Sequence, residues 1–261
     1  MTWLGVWLVG VGLADLVRGG GERPGRERAA VLVGAVAVVL TALLAGLHAP
    51  VDLVVLVGSL VALVLWVRWS QQSLTTGTGH VAALASLAGG AVWLVGLSGW
   101  ASEAGGPLRD WLGWADLPAL VAAHGRSAAH VLLVLGLVLA NLATGNVVVR
   151  LVLVAIGAVR PVERAGTEGE TGPQASEQLR GGRLLGPMER VVILGLGLAG
   201  QLGAAGLVIA AKGLIRFPEL QSKRSDHESV EGVGIDEVTE YFLVGSFVSW
   251  LLALGGLVLA G

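Results

Sequence analysis

The sequence predicts an all-α protein: a polytopic transmembrane helical bundle of about seven spans with interfacial helices, forming one integral membrane domain over residues 1–261. Three observations predict it. Hydrophobic residues make up 54% of the chain and charged ones 14%, where soluble domains carry about 25% charge. The mean hydropathy is +0.76. Long uncharged apolar stretches also recur, the plainest being the 21 residues from Val191 to Ala211. About 20 helical residues at ~1.5 Å each cover the roughly 30 Å of bilayer hydrocarbon.

Composition removes several function classes. The net charge of −2 carries no basic signature for nucleic acid. With no cysteine there is no disulfide, thiolate metal site or Cys nucleophile. Lysine occurs only at 212 and 223, against abundant Ala, Gly, Val and Arg. That bias resembles a GC-rich bacterial genome and suggests the cytoplasmic (inner) membrane.

The spans are expected at 3–17, 29–47, 53–67, 81–98, 128–147, 191–211 and 241–260. The first lacks a basic leader and a small-residue cleavage site, so it reads as a span rather than a signal peptide. Asp15 near its end reads as a water-boundary residue or as a buried functional carboxylate. The turn with Arg18, Arg23, Arg26 and Arg28 is basic, hence cytoplasmic. Pro50 closes the second span. Asp52 and Arg68 should reach outward to water around a short third span, with Trp66 and Trp69 at the interface. Gly89 and Gly90 suit close packing in the fourth.

Between 100 and 126, Trp100, Trp111 and Trp114 are mixed with Arg109, Asp110, Asp116 and Pro118. This reads as an amphipathic helix in the membrane interface, or alternatively as a lid. The fifth span is expected to end near Val147, with an interfacial stretch to Val159 in which Arg150 snorkels. His130 reads as packed rather than metal-ligating, because no second ligand lies at i+3 or i+4. Residues 160–188 form a cytoplasmic loop and 218–240 a polar one.

The sixth span is expected to be the hub. Gly195, Ala199 and Gly203 stand four apart, as do Gly200 and Ala204, and Gly206 and Ala210, a spacing that admits a neighbouring backbone. Gln201 near its middle needs a protein partner or a wet cavity, as an interhelical bond or a ligand contact. A single crossing is the simpler reading. The alternative is a hairpin turning at Gly200 and Gln201. With the N-terminus outside, a crossing puts 11 Lys and Arg inside and 6 outside, and the hairpin 15 against 2.

Candidate site residues surround this stretch. Pro187 suits a helix's first turn, and Glu189 complements the dipole there. Gly181, Gly182 and Arg183, with Arg190 nearby, are able to offer N–H groups and a guanidinium to an anion such as a lipid phosphate. At the far end Lys212 and Arg216 share a face, and Glu240 and Tyr241 open the next span on that side. The plain alternative is snorkelling cations and a capping acid. No GxGxxG stands between a strand and a helix, and no P-loop, HExxH or GxSxG occurs, nor any internal repeat. No cofactor is implied.

The segments GGRLLGPMER, AAKGLIRFPEL and EYFLVGSFVSWLLAL resemble the C-terminal signature of an uncharacterised family of bacterial multi-pass membrane proteins, a domain of unknown function. LADLV at 13–17 is similar to a family element in which an Ala-Asp pair follows a histidine, absent here. The resemblance implies architecture and no reaction. The expected function is a membrane protein that binds a lipid headgroup, a small anion or a partner membrane protein, or itself, around span six. The alternative is a small permease with a polar path past Gln201 and Lys212. An enzyme is the weakest reading.

Overall fold

The computed structural model describes residues 1–19, 25–115, 127–159, 182–226 and 235–261, with side chains outside 182–184 and 215–239. Every regular element among them is helical: α1 Thr2–Arg18, α2 Arg26–Leu44, α3 Pro50–Thr76, α4 His80–Gly96, α5 Gly106–Ala115, α6 Ala128–Ala155, α7 Gly182–Leu198, α8 Leu202–Asp226 and α9 Ile235–Ala260. Among the described residues, four stretches are long and apolar enough to cross a membrane: α2, α3, α6 and Glu240–Ala260 of α9. The chain forms two compact units, Met1–Gln71 with Val81–Thr144, and Gln72–His80 with Gly145–Leu259.

The hub of the first unit is α1, not the sixth apolar stretch. Nearly every residue from Thr2 to Asp15 is buried. Glycine makes this possible, because it lets backbones touch where hydrophobic driving force is absent. A Cβ on Gly5 would lie 2.7 Å from Leu133 N of α6, and one on Gly136 2.7 Å from Gly5 O. A Cβ on Gly10 would lie 2.9 Å from Gly34 O of α2, and one on Gly12 2.9 Å from Leu139 C. Trp7 of α1 lies against Gly90 of α4, and Trp93 of α4 against Gly58 of α3.

These contacts fix helix directions within the unit. Gly5 meets Leu133 and Gly12 meets Leu139, so α1 and α6 run the same way. Gly10 meets Leu63 and Asp15 meets Trp66, so α3 does too. Gly58 with Trp93 and Ala62 with Gly90 set α4 against α3. Gly10 with Val38 and Ala14 with Gly34 set α2 against α1.

Several expectations need correction. Trp66 is fully buried rather than interfacial. Asp52 does not reach water: it is buried, and its Oδ2 accepts the Ala49 N–H at 3.1 Å. That is the back-bond of a helix-capping acid at the third position, with Pro50 at the first. Helix α3 runs on to Thr76. Helix α6 continues past Val147 to Ala155 through a π-helical stretch, Ala140–Thr144. Helix α8 extends through the expected polar loop to Asp226. The parts of that loop at 227–234, and residues 160–181, lie outside the described residues.

The largest correction concerns Val191 to Ala211, which is two helices. α7 ends at Leu198 and α8 begins at Leu202. Gly200 has φ +75°. Gln201 N–H donates to Leu196 O at 2.8 Å and Gly200 N–H to Gly197 O at 2.9 Å. This is the two-bond glycine cap that stops helices, the glycine taking the left-handed position. The Gln201 carbonyl then accepts the Ala205 N–H at 3.1 Å and starts α8. The small residues expected to pack are largely open: a Cβ on Gly195, Gly203 or Gly206 meets nothing within 4 Å. The close approach is instead at Gly197, which was not among them and lies against Leu257 of α9.

Overpacking a close backbone approach costs about 1–3 kcal/mol. Gly5→Ala and Gly136→Ala are therefore expected to lower thermal stability in detergent by that amount. Gly203→Ala, in open space, should leave it unchanged or raise it by less than about 1 kcal/mol. Equal loss in all three would contradict α1 as the hub.

Candidate functional site

The site is built in the second unit by α7, α8, α9 and the end of α6. The turn at Ala199–Gln201 folds α8 back along α7. Ile193 of α7, Ala205 of α8 and Ala253 of α9 bury together, with Trp250 packed beside them. α9 runs in the same direction as α7: Ser249 and Trp250 lie level with Arg190 and Glu189, Ala253 with Ile193, and Leu257 with Gly197. Each step is four residues, one helical turn, on both helices.

At this level the charges meet. Lys212 Nζ donates to Glu189 Oε2 at 2.5 Å, across 23 residues of sequence. A straight helix would hold them roughly 35 Å apart, so this contact alone rules out one helix over 191–211. Trp250 Nε1 donates to Glu189 Oε1 at 2.8 Å, and the ammonium sits 5.8 Å from the Trp250 ring centroid, within cation–π range. Arg190, 2% exposed, donates through Nη1 to Ser249 Oγ at 3.0 Å and through Nη2 to Asn146 Oδ1 at 2.6 Å. Gly145 makes room for it: a Cβ there would stand 2.7 Å from Arg190 Nε.

Trp250 is the middle residue of the 21-residue apolar stretch Glu240–Ala260. Lys212 lies eleven residues beyond Gln201, or about 16 Å of helix, near the end of the apolar part of α8, Leu202–Leu214. The cluster is thus level with the middle of the apolar stretch of α9.

The structure brings together Glu189, Arg190 and Lys212 of the candidate residues and separates the others. Glu189 does not serve the α7 dipole, because α7 begins at Gly182 and includes Pro187 in its interior. Gln201 is exposed at the turn, not packed mid-helix. Glu240 is exposed. Tyr241 packs against Leu153, Val154 and Val159, away from Lys212. The side chains of Arg183 and Arg216 fall outside the described residues.

Asp15 belongs to the first unit and is 2% exposed, so it is buried rather than facing water. Its carboxylate pairs with Arg18 and accepts Trp66 Nε1 at 3.0 Å. Arg18 also donates to Val67 O at 3.1 Å and Ser70 Oγ at 2.8 Å. These bonds tie the end of α1 to α3.

Asn146, Ser249, Trp250 and Gly145 were not singled out by sequence. A signal existed: Trp250 stands mid-span, whereas tryptophans favour span ends, with Ser249 next to it and Ser246 one turn before it. Chemically, both Glu189 oxygens are engaged, so no free base is poised. Among the described residues no group of three His, Asp or Glu is placed to hold a metal ion. Comparison with family models, curated proteins and solved structures gives no match to this chain.

Removing one partner of a buried ion pair costs about 3–5 kcal/mol, because the other charge stays behind. Lys212→Ala should destabilise by that order in detergent thermal unfolding. Glu189→Gln combined with Lys212→Met should recover most of the loss. A double variant no better than Lys212→Ala would show that the pair's charge is not what matters.

Proposed function

We propose that this chain is a multi-pass inner-membrane protein of the transport class, a small permease or permease subunit. Its central feature is the Glu189–Arg190–Lys212 cluster. The observation that carries this reading is the depth of that cluster, opposite the middle of an apolar span. Ionisable groups there are expensive and are retained where a solute or proton passes. A lipid headgroup fits this depth poorly, since headgroups lie at the ends of spans. The resemblance to an uncharacterised bacterial membrane-protein family enters on the same footing and adds no reaction.

The topology is part of the proposal. Helices α1–α4 and α6–α9 make eight crossings rather than seven, with α7 and α8 in place of the single sixth span. Helices of 17 residues, such as α1, α4 and α7, are at the short end of the crossing range of about 17–25. With the N-terminus outside, 13 of the 17 Lys and Arg fall on the inner side and Arg109 and Arg126 on the outer. Arg190 and Lys212 are then within the span. This asymmetry supports the orientation.

Because cysteine is absent, single-Cys labelling applies directly. Glu170→Cys and Glu228→Cys are expected to label from one face of sealed vesicles, and Gln201→Cys from the other. Labelling of all three from one face would replace the added crossings by a re-entrant hairpin. For transport, Ser249→Cys and Lys212→Cys should react with a small water-soluble methanethiosulfonate from at least one side. Both positions inert in folded, reconstituted protein would reduce the cluster to a structural pin.

A further inference from the structure

The first unit carries a surface that the transport reading does not use. Trp100, Trp111 and Trp114 are exposed, Trp114 to 82%, all within one short segment. Trp111 and Trp114 stand three apart on α5, on one face. Leu108 and Leu112, four apart, are half-buried. Helix α5 packs on α2 and α6.

The segment is tied to one end of the unit. Gly105 N–H donates to Ala45 O at 2.9 Å, just after α2. Gly106 and Gly46 approach so closely that a Cβ on Gly106 would lie 3.0 Å from Gly46 N. Both glycines have positive φ, 61° and 71°. Ser102 N–H makes a long contact, 3.4 Å, to the buried Asp52 carboxylate at the start of α3. The strap is therefore held at the level where α2 turns into α3. Exposed apolar residues continue from there down both helices: Leu43, Leu44, Val51 and Val54.

We propose that the strap over 98–115 is an interfacial anchor, its three indoles seated among the headgroups of the leaflet at the α2–α3 turn. Its occupant is the lipid interface itself. An indole is apolar in body and polar at its N–H, which suits that layer. The strap continues an apolar belt, as a bilayer requires. Glu103, Arg109 and Asp110 give it a formal charge of −1, so it holds to lipid through its rings and not through attraction to anionic headgroups. This rests on the membrane reading above, and the experiment separates the two.

The full chain is labelled with an environment-sensitive NBD group at Trp114→Cys or Trp100→Cys and reconstituted in phosphatidylcholine vesicles. The expected result is quenching at least twofold stronger by lipids spin-labelled near the headgroup than by those labelled deep in the chain. Aqueous iodide should quench weakly, and adding anionic lipid should change nothing. Strong iodide quenching, or shallow quenching that depends on anionic lipid, overturns the anchor. So does a label shielded from every quencher and sensitive to protein-to-lipid ratio, which marks a second copy as the occupant. Failure of the chain to float with vesicles would sink the membrane reading itself.

Discussion

In an apolar surrounding, a polar group is satisfied inside the protein or costs several kcal/mol. Both units are organised by that constraint. In the first, the polar end of α1 is closed by Asp15, Arg18, Trp66 and Ser70 acting on one another. In the second, Glu189 is satisfied from two helices at once, by Lys212 of α8 and Trp250 of α9. Neither tryptophan could be replaced by an aliphatic side chain without leaving a carboxylate oxygen short of a donor. The indole N–H groups thus join the other polar bonds that fix α3 and α9, Arg18 to Val67 and Ser70 in one and Arg190 to Ser249 in the other.

The same constraint explains the division of labour among the glycines. Gly5, Gly10 and Gly12 sit on α1, where three helices crowd it, and there the missing side chain becomes backbone contact. Gly200 does something different: its left-handed backbone ends α7 and turns the chain back. Only that reversal puts Lys212 beside Glu189. One conformational property of one residue is therefore the condition for the ion pair.

How far this was legible in the sequence follows from the solvent. Apolar runs report helix length, so the all-helical class and the locations of most helices could be read. They do not report which face is inside, because lipid and protein interior are both apolar. The hub was therefore assigned to 191–211 for its glycines, when Trp3 and Trp7 of α1 hold the buried position. Gly200 was readable as a helix stop, and the hairpin was the alternative that satisfied the charge rule better. A 21-residue uncharged run masked it, because hydropathy does not register a left-handed glycine. Glu189, Arg190 and Lys212 stood out as charges bordering an apolar run. Their partners Ser249, Trp250 and Asn146 did not, since nothing local links positions so far apart in the chain. Gln201 misled: an amide mid-run looks buried until the run is known to turn there.

The two buried ion pairs among the described residues are not equivalent. Asp15 and Arg18 are three residues apart on one helix and meet whatever the other helices do. Their pair reinforces α1 and demands only that Trp66 stay close. Glu189 and Lys212 belong to different helices, and their contact exists only while α7, α8 and α9 keep their present register. A shift of α8 by one helical turn, about 5.4 Å, would withdraw the ammonium from the carboxylate and leave Trp250 as its remaining donor. The cost of breaking this pair is thus linked to helix position in a way that the cost of breaking the first is not. A charge whose pairing depends on register suits an alternating-access device, which adds to the mid-span position of the second pair on which the proposed transport reading rests.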